Sequence, residues 1–445
     1  MKLLRNKNFY KFLIPSLIGL FLFVTPVKSD GNLTIPIAVI ANALLNLMGD
    51  ASSLVIYILV SFSAIVTIIH KIHPIPFLKN HEKLNALFDI KGIWLVVRMV
   101  GFVFVNLLYW QVGPEMILSE DTGGLVLHGL MPILVCVFLL AGLLLSLLLN
   151  FGLLDFFGAL LIRIMRPVFN LPGRSALDCI ASWLGDGSVG VLLTAKQYEE
   201  GFYSKREATV IATTFSAVSI TFCLVVVEQV GLGHMFIPFY LTVGLAGIVA
   251  AIIVPKLPPL RHVPDSYCVK KPYPEDIPAG STPAKYGLQL ALNKASKAPS
   301  VKDFFAEGFT TVFEMWFGTL PVILCLGTLA LIVAEYTPIF KILGVVFIPI
   351  YKLLQIPEAA AASETVIVGF ADMFLPSVIA AGFESEMTKF VVAATSVTQL
   401  IYMSEIGSII MGSKIPVSLK NLFIIFLERT LVTLPVIAIV AHLIF

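Results

Sequence analysis

Carboxylates stand in two stretches of this chain that are otherwise apolar enough for a membrane, and their spacing repeats. Asp178 and Asp186 fall in residues 173–198, Glu364 and Asp372 in residues 357–383, each pair eight residues apart. In hydrocarbon a charged side chain costs roughly 2.5–3.5 kcal/mol on insertion scales, so such groups face protein or a watery cavity. Around Asp186 the chain reads Trp183-Leu184-Gly185-Asp186-Gly187-Ser188-Val189-Gly190. Around Asp372 it reads Gly369-Phe370-Ala371-Asp372-Met373-Phe374-Leu375-Pro376-Ser377. Glycine and proline break a helix at these points, and non-helical backbone at membrane depth is tolerated only where it lines a cavity. The pattern predicts two re-entrant hairpins with Asp186, Ser188, Asp372 and Ser377 at tips that could bind solute. A tip aspartate can bind Na⁺, take up a proton or cap the second half-helix. Asp178 and Glu364, about two turns earlier on the same faces, are candidates for ion coupling or for pairing between the hairpins.

A polar-faced span is expected after each hairpin, at 206–227 and 387–410. Thr209, Thr213 and Ser216 lie at i, i+4 and i+7, with Ser219 beside them. Such hydroxyls often bond only their own backbone, but with Thr213, Ser216 and Ser219 in one span they are assigned to ion coupling. Thr395, Thr398, Gln399, Tyr402 and Glu405 would share one helical face at i, i+3, i+4, i+7 and i+10, and a carboxylate is not needed to glue helices together. This face is assigned to the solute. No Gly-x-x-x-x-Gly-Lys-[Ser/Thr] phosphate loop, His-Glu-x-x-His stretch or Gly-x-Ser-x-Gly elbow occurs. Asp186 and Asp372 are also the minimum set for an intramembrane hydrolase. The repeated, broken spans favour transport, so no catalytic residue is assigned.

These residues need a membrane scaffold, and composition supplies one. Of 445 residues, 58% are hydrophobic and 13% charged, about half the charge of a soluble domain. Lys2, Arg5, Lys7 and Lys11 precede the first apolar run, 12–26, which places the amino terminus in the cytoplasm. Val27 and Ser29 before Asp30 give the competing reading of a cleaved signal peptide. The run from Leu33 to His70 divides into a surface helix and a span over 53–69, and a third span covers 92–112. The basic loop 70–91 is cytoplasmic; His70 and His73 are read as part of it, not as a metal site. The five cysteines form no Cys-x-x-Cys pair and read as inert thiols.

From residue 126 the chain repeats. Met131-Pro132-Ile133-Leu134-Val135-Cys136 resembles Leu320-Pro321-Val322-Ile323-Leu324-Cys325 at an offset of 321 − 132 = 189. Leu171-Pro172 matches Ile356-Pro357, the two carboxylate pairs match each other, and Ser204 with Val210-Ile211-Ala212 matches Ser385 with Val391-Val392-Ala393. Each unit holds a span (126–149; 312–333), an interfacial amphipathic piece (153–169; 338–354), a hairpin, a polar-faced span and a plain span (236–254; 420–443). Three crossings per unit put the second unit upside down relative to the first. The linker 256–308, with eight Lys or Arg against five acids, falls in the cytoplasm. The expected fold is all-α and polytopic, with about nine transmembrane helices, amino end in and carboxyl end out. Its divisions are 1–125 peripheral helices, 126–255 first repeat, 256–308 linker and 309–445 second repeat.

At Leu171-Pro172-Gly173 and Leu184-Gly185-Asp186-Gly187-Ser188 the chain resembles the nucleoside-recognition Gate-domain membrane proteins, nearest the bacterial YjiH group. The resemblance covers Gly129 to Val227 and, more weakly, 317–410. Gate domains also occur in concentrative nucleoside transporters and ferrous-iron permeases. The resemblance implies an inverted pair of hairpins in a bacterial inner membrane, holding a small polar solute such as a nucleoside or amino-acid-like compound. It implies Na⁺ or H⁺ coupling and no cofactor beyond such an ion. The transporters present Gln/Thr/Glu-type residues at the first hairpin, where this chain has Asp186 and Ser188. The iron permeases' GTPase domain is absent here. Partners are the lipid bilayer, the solute, and a second copy or second Gate-type membrane subunit, with no nucleic acid. A non-transporting subunit of such an assembly is the alternative.

Overall fold

The computed structural model describes residues 7–23, 25, 27–29, 32–80, 82–90, 92–184, 187–215, 218–269, 277–278 and 281–445. Apart from a two-stranded antiparallel ribbon, Val27–Ser29 with Asn32–Thr34, the described secondary structure is helical. Six described helical stretches are long and apolar enough to cross a membrane: Ala51–Ile72, Ile93–Trp110, Leu125–Leu149, Gly233–Lys256, Val301–Tyr336 and Leu419–Ile444. The other expected crossings are shorter or broken. Helix α1 (Lys7–Phe23) and α2 (Pro36–Met48) come first, and α3 (Ala51–Ile72) and α4 (Ile93–Trp110) follow them as spans.

The first repeat opens with a π-helical turn, Leu125–Leu130, that runs into α5 (Met131–Leu144). The second does the same, with π turn Glu314–Thr319 leading into the helix Leu320–Tyr336. The two π turns are again 314 − 125 = 189 residues apart. In each, a proline (Pro132, Pro321) follows as the second helical residue. Proline has no N–H and its ring crowds the carbonyl one turn back, which the wider π turn relieves.

In the first repeat there follow α6 (Leu153–Phe169), the first hairpin α7 (Ser175–Leu184) and α8 (Gly187–Glu199), α9 (Lys205–Val210), α10 (Ile220–Gln229) and α11 (Phe236–Ile253). The linker helix α12 (Pro283–Ser296) lies along α6. A Cβ on Gly152 would come within 2.6 Å of the Ala291 backbone, and φ there is +97°, so only glycine permits this approach. Helix α13 (Val301–Phe313) continues through the π turn into α14 (Leu320–Tyr336). The helix that holds the second unit's first span therefore begins at Val301, ahead of the apolar stretch 312–333.

The second repeat's interfacial piece is divided into α15 (Ile339–Gly344) and α16 (Ile348–Leu353), with Pro349 at the junction. The second hairpin is α17 (Ala359–Ala371) and α18 (Leu375–Ala380), followed by α19 (Glu386–Gln399), α20 (Ile406–Gly412) and α21 (Leu419–Ile444). Ser204 accepts from the Glu207 N–H in a capping box, and Ser385 accepts from the Thr388 N–H, so the two matched serines start the two matched helices.

Two expectations are corrected here. Neither polar-faced segment is one continuous span. In the first, α9 passes into a π turn, Ile211–Phe215, and helix resumes only at Ile220, after Ser219. In the second, α19 stops at Gln399, and residues 400–405 are not helical.

Candidate functional site

The break after α19 is created by tertiary hydrogen bonds, since it contains neither glycine nor proline. Leu400 takes φ +64°, and the Met403 and Ser404 N–H groups donate to the Phe370 and Ala371 carbonyls at 2.8 Å each. These carbonyls end α17, so the unwound segment satisfies the open end of the second hairpin's first limb. Asp372 completes the joint. Its Oδ1 accepts from the Phe374 and Leu375 N–H groups at 2.7 and 3.2 Å, and its Oδ2 accepts from the Ser404 hydroxyl at 2.7 Å. The tip aspartate thus starts α18 and ties the hairpin to the broken helix.

One cavity of about 270 Å³ lies against this joint. Its lining includes Gly187 from the first hairpin tip, Val218 and Ser219 from the first repeat's break, and Asp372 and Phe374 from the second tip. Leu400, Tyr402 and Glu405 from the second break also line it. Four interruptions of helix, two from each repeat, share a single chamber. The Tyr402 hydroxyl donates to Glu405 Oε2 at 3.2 Å. Ser219 also accepts from the Phe222 N–H at 3.3 Å, which starts α10.

The remaining assigned residues are placed as follows. Tyr402 and Glu405 lie in the break and not on a common helical face with Thr395, Thr398 and Gln399, because the helix ends before them. Thr395 and Thr398 are buried, and the Thr398 hydroxyl donates to the Thr395 carbonyl at 3.0 Å. Gln399 Nε2 donates to the Val366 carbonyl and to Thr430 Oγ1, both at 3.0 Å, binding α19 to α17 and α21. Gly369 makes room for it, since a Cβ there would stand 2.0 Å from Gln399 Oε1. Ser377 is buried and donates to the Phe374 carbonyl at 2.6 Å. Ser188 is buried in α8. The Thr213 hydroxyl donates to the Thr209 carbonyl at 2.6 Å. Asp186 and Ser216 lie outside the described residues.

Asp178 and Glu364, matched in sequence, differ in place. Asp178 is fully buried inside the first hairpin and accepts from Thr194 Oγ1 (2.8 Å), Gln197 Nε2 (2.7 Å) and the Tyr203 hydroxyl (3.1 Å). Glu364 is exposed on the outer face of α17. The two do not pair across the repeats, because the exposed face of α17 points Glu364 away from the buried interior that holds Asp178. Neither lines the chamber.

The residue that sequence reasoning missed is Arg429, in the span read as plain. It is buried, and it donates from Nε (2.9 Å) and Nη2 (2.7 Å) to the Thr398 carbonyl and from Nη1 (2.7 Å) to the Thr214 carbonyl. These carbonyls stand at the ends of α19 and of the π turn after α9, just before the two breaks. One guanidinium therefore stabilises the two helix ends, one in each repeat, where carbonyls lack partners. A lone arginine in an apolar run was the available signal, since an ionisable group inside a membrane span is functional by default.

On another side of the chamber, α8 and α20 separate it from two adjoining cavities of about 700 and 1080 Å³. Both are lined by Lys196, Glu199 and Lys414, and Lys414 Nζ pairs with Glu199 Oε2 at 3.4 Å. In this charged mouth, burial raises the Glu200 carboxyl above its ordinary pKa, against the opposing pull of Lys294, Lys196 and Arg174.

A polytopic helical membrane protein with paired broken helices around an internal chamber is the class that this fold and site define. A nucleoside-recognition Gate family model matches residues 131–233, within the first repeat, and supports a Gate-domain membrane protein. The uncharacterized protein BpOF4_10220 of Alkalihalophilus pseudofirmus is 50% identical over 440 residues, covering 98% of this chain and 95% of that protein. The chain belongs to the same family as that protein. No solved structure matches it. The Gate domain supports a transporter-like membrane role.

Proposed function

We propose that this protein is a secondary active transporter of a small polar organic solute, coupled to Na⁺ or H⁺, with the solute held in the chamber between the repeats. The observation that carries the reading is the convergence of four helix interruptions on one cavity lined by Asp372, Tyr402, Glu405 and Ser219. Broken helices at the interface of inverted repeats are how secondary transporters build a midplane site, because unwound backbone offers donors and acceptors that a continuous helix hides. In this reading the hairpins are re-entrant and the protein is a YjiH-type member of a bacterial inner membrane, amino terminus in the cytoplasm. The clustering of Lys196, Lys414, Lys294 and Lys297 around the large mouth supports a cytoplasmic side there.

Uptake into proteoliposomes under an imposed Na⁺ or H⁺ gradient, screened over nucleosides and amino acids, tests the proposal. The wild type is expected to accumulate at least one compound, and Asp372→Asn and Glu405→Gln are expected to lose that uptake while inserting normally. Uptake by both variants at the wild-type rate would place the site elsewhere.

A further inference from the structure

The chamber's chemistry narrows the solute, provided that the chamber is the transport site. The lining brings in the amino-terminal ends of α8, α10, α18 and α20 at Gly187, Ser219, Phe374 and Ile406, and the carboxyl-terminal ends of α17 and α19 at Asp372 and Leu400. Ser219 and Asp372 cap two of the amino ends, which leaves two ends of each sign and lets charged side chains set the balance. Among the described lining residues there are two carboxylates, Asp372 and Glu405, and no Lys, Arg or His. Asp372 receives three hydrogen bonds, two from backbone N–H and one from Ser404, which hold its carboxyl group in place against the cavity. Arg429, which shares with Leu400 the lining of an adjoining apolar cavity, directs its hydrogen bonds to the Thr398 and Thr214 carbonyls. Even with Arg429 counted, two carboxylates face one guanidinium.

Aromatic rings stand in the same lining as the carboxylates. Phe222 of the first repeat and Phe374 of the second meet edge to face, ring centroids 6.1 Å apart at 72°, and Tyr402 adds a third ring. Rings beside carboxylates within a membrane protein suit a positive charge carried on an apolar body. The volume, about 270 Å³, suits a small molecule.

We infer that the solute is a small organic monocation, a protonated amine on an aromatic or apolar body, with its nitrogen between Asp372 and Glu405 and its body against Phe222 and Phe374. An anionic solute is rejected, because it would bring like charge against two carboxylates at low dielectric.

The full-length protein in detergent is titrated by calorimetry and thermal shift with tryptamine, with tryptophol as the neutral isostere, with indole-3-propionate as the anion, and with adenosine. Each titration is run with and without Na⁺. Tryptamine is expected to bind and to raise the melting temperature, with tryptophol and adenosine at least tenfold weaker and the anion silent. Glu405→Gln is expected to weaken tryptamine roughly thirtyfold or more, the cost of removing one partner of a desolvated charge pair. Should that variant fail to fold, Phe222→Leu is expected to weaken it about fivefold through the lost ring face. Tryptophol or adenosine binding as well as tryptamine, with or without Na⁺, overturns the inference. If solute uptake persists in that case, the transport reading stands without it. Absence of binding by every probe, together with absence of any uptake, removes both.

Discussion

The two hairpins follow the same order of segments, yet their carboxylates are held in opposite ways. In the first, Asp178 ties limb to limb through Thr194 and Gln197 and reaches Tyr203 beyond the hairpin. In the second, the matching Glu364 is exposed. That hairpin is instead held at its two ends, by Asp372 with Ser404 at the tip and by Glu358 accepting from the Glu384 and Ser385 N–H groups at 3.2 and 3.0 Å at the base. The second limb also shrinks from thirteen residues in α8 to six in α18. The two units keep one order of segments while their charges are placed differently. The first hairpin is fastened internally, and the second is fastened to the helix that must unwind beside the chamber.

The largest effect should come from the residue that both units share. Arg429→Met removes three hydrogen bonds from a charged donor and leaves the Thr398 and Thr214 carbonyls buried without it, a loss of roughly 3 kcal/mol or more. It should appear as a marked fall in melting temperature in detergent. Arg429→Lys should fall between the two, because an ammonium cannot span both carbonyls as a planar fork does. A variant as stable as wild type would remove Arg429 from its bridging role.

Next is the internal fastening of the first hairpin. Asp178→Asn turns an acceptor of three donors into a group that also donates, at a cost of about 1–3 kcal/mol. Its partner in sequence, Glu364→Gln, should stay within about 0.5 kcal/mol, as surface changes do. Equal losses in the two thermal melts would erase the contrast between the hairpins. Ser404→Ala should cost about 1 kcal/mol and slow uptake more than it destabilises, since it removes the side-chain tie between Asp372 and the break. Unchanged uptake would show that this tie is only structural. Gly369→Ala should displace Gln399 and cost about 1–3 kcal/mol through overcrowding, read in the same melts.

Much of this was legible in the sequence because it is local. The 189-residue offset at Pro132 and Pro321, the capping serines 204 and 385, and the helix-breaking residues around Asp372 all act within a turn or two. What was not legible depends on distant partners. Nothing within Leu400-Ile401-Tyr402-Met403-Ser404-Glu405 forbids a helix, and the break arises because Met403 and Ser404 find better acceptors at Phe370 and Ala371. Helical spacing therefore put Tyr402 and Glu405 on a face that does not exist, while still selecting two residues that line the chamber. Glu364 was matched correctly to Asp178 along the chain, but sequence distance carries no information on which side of α17 meets protein.

The central claim is that both repeats line one chamber of a size to hold one small molecule. Intact-mass labelling of a double variant, Ser219→Cys with Glu405→Cys, tests it most directly, with Cys136, Cys179, Cys223, Cys268 and Cys325 replaced and a membrane-impermeant methanethiosulfonate ammonium reagent applied in proteoliposomes. Each single cysteine should react, and the double variant should take up one adduct per chain, because the first fills the space the second needs. Two adducts per chain, or a cysteine in either repeat that never reacts, would contradict a shared chamber.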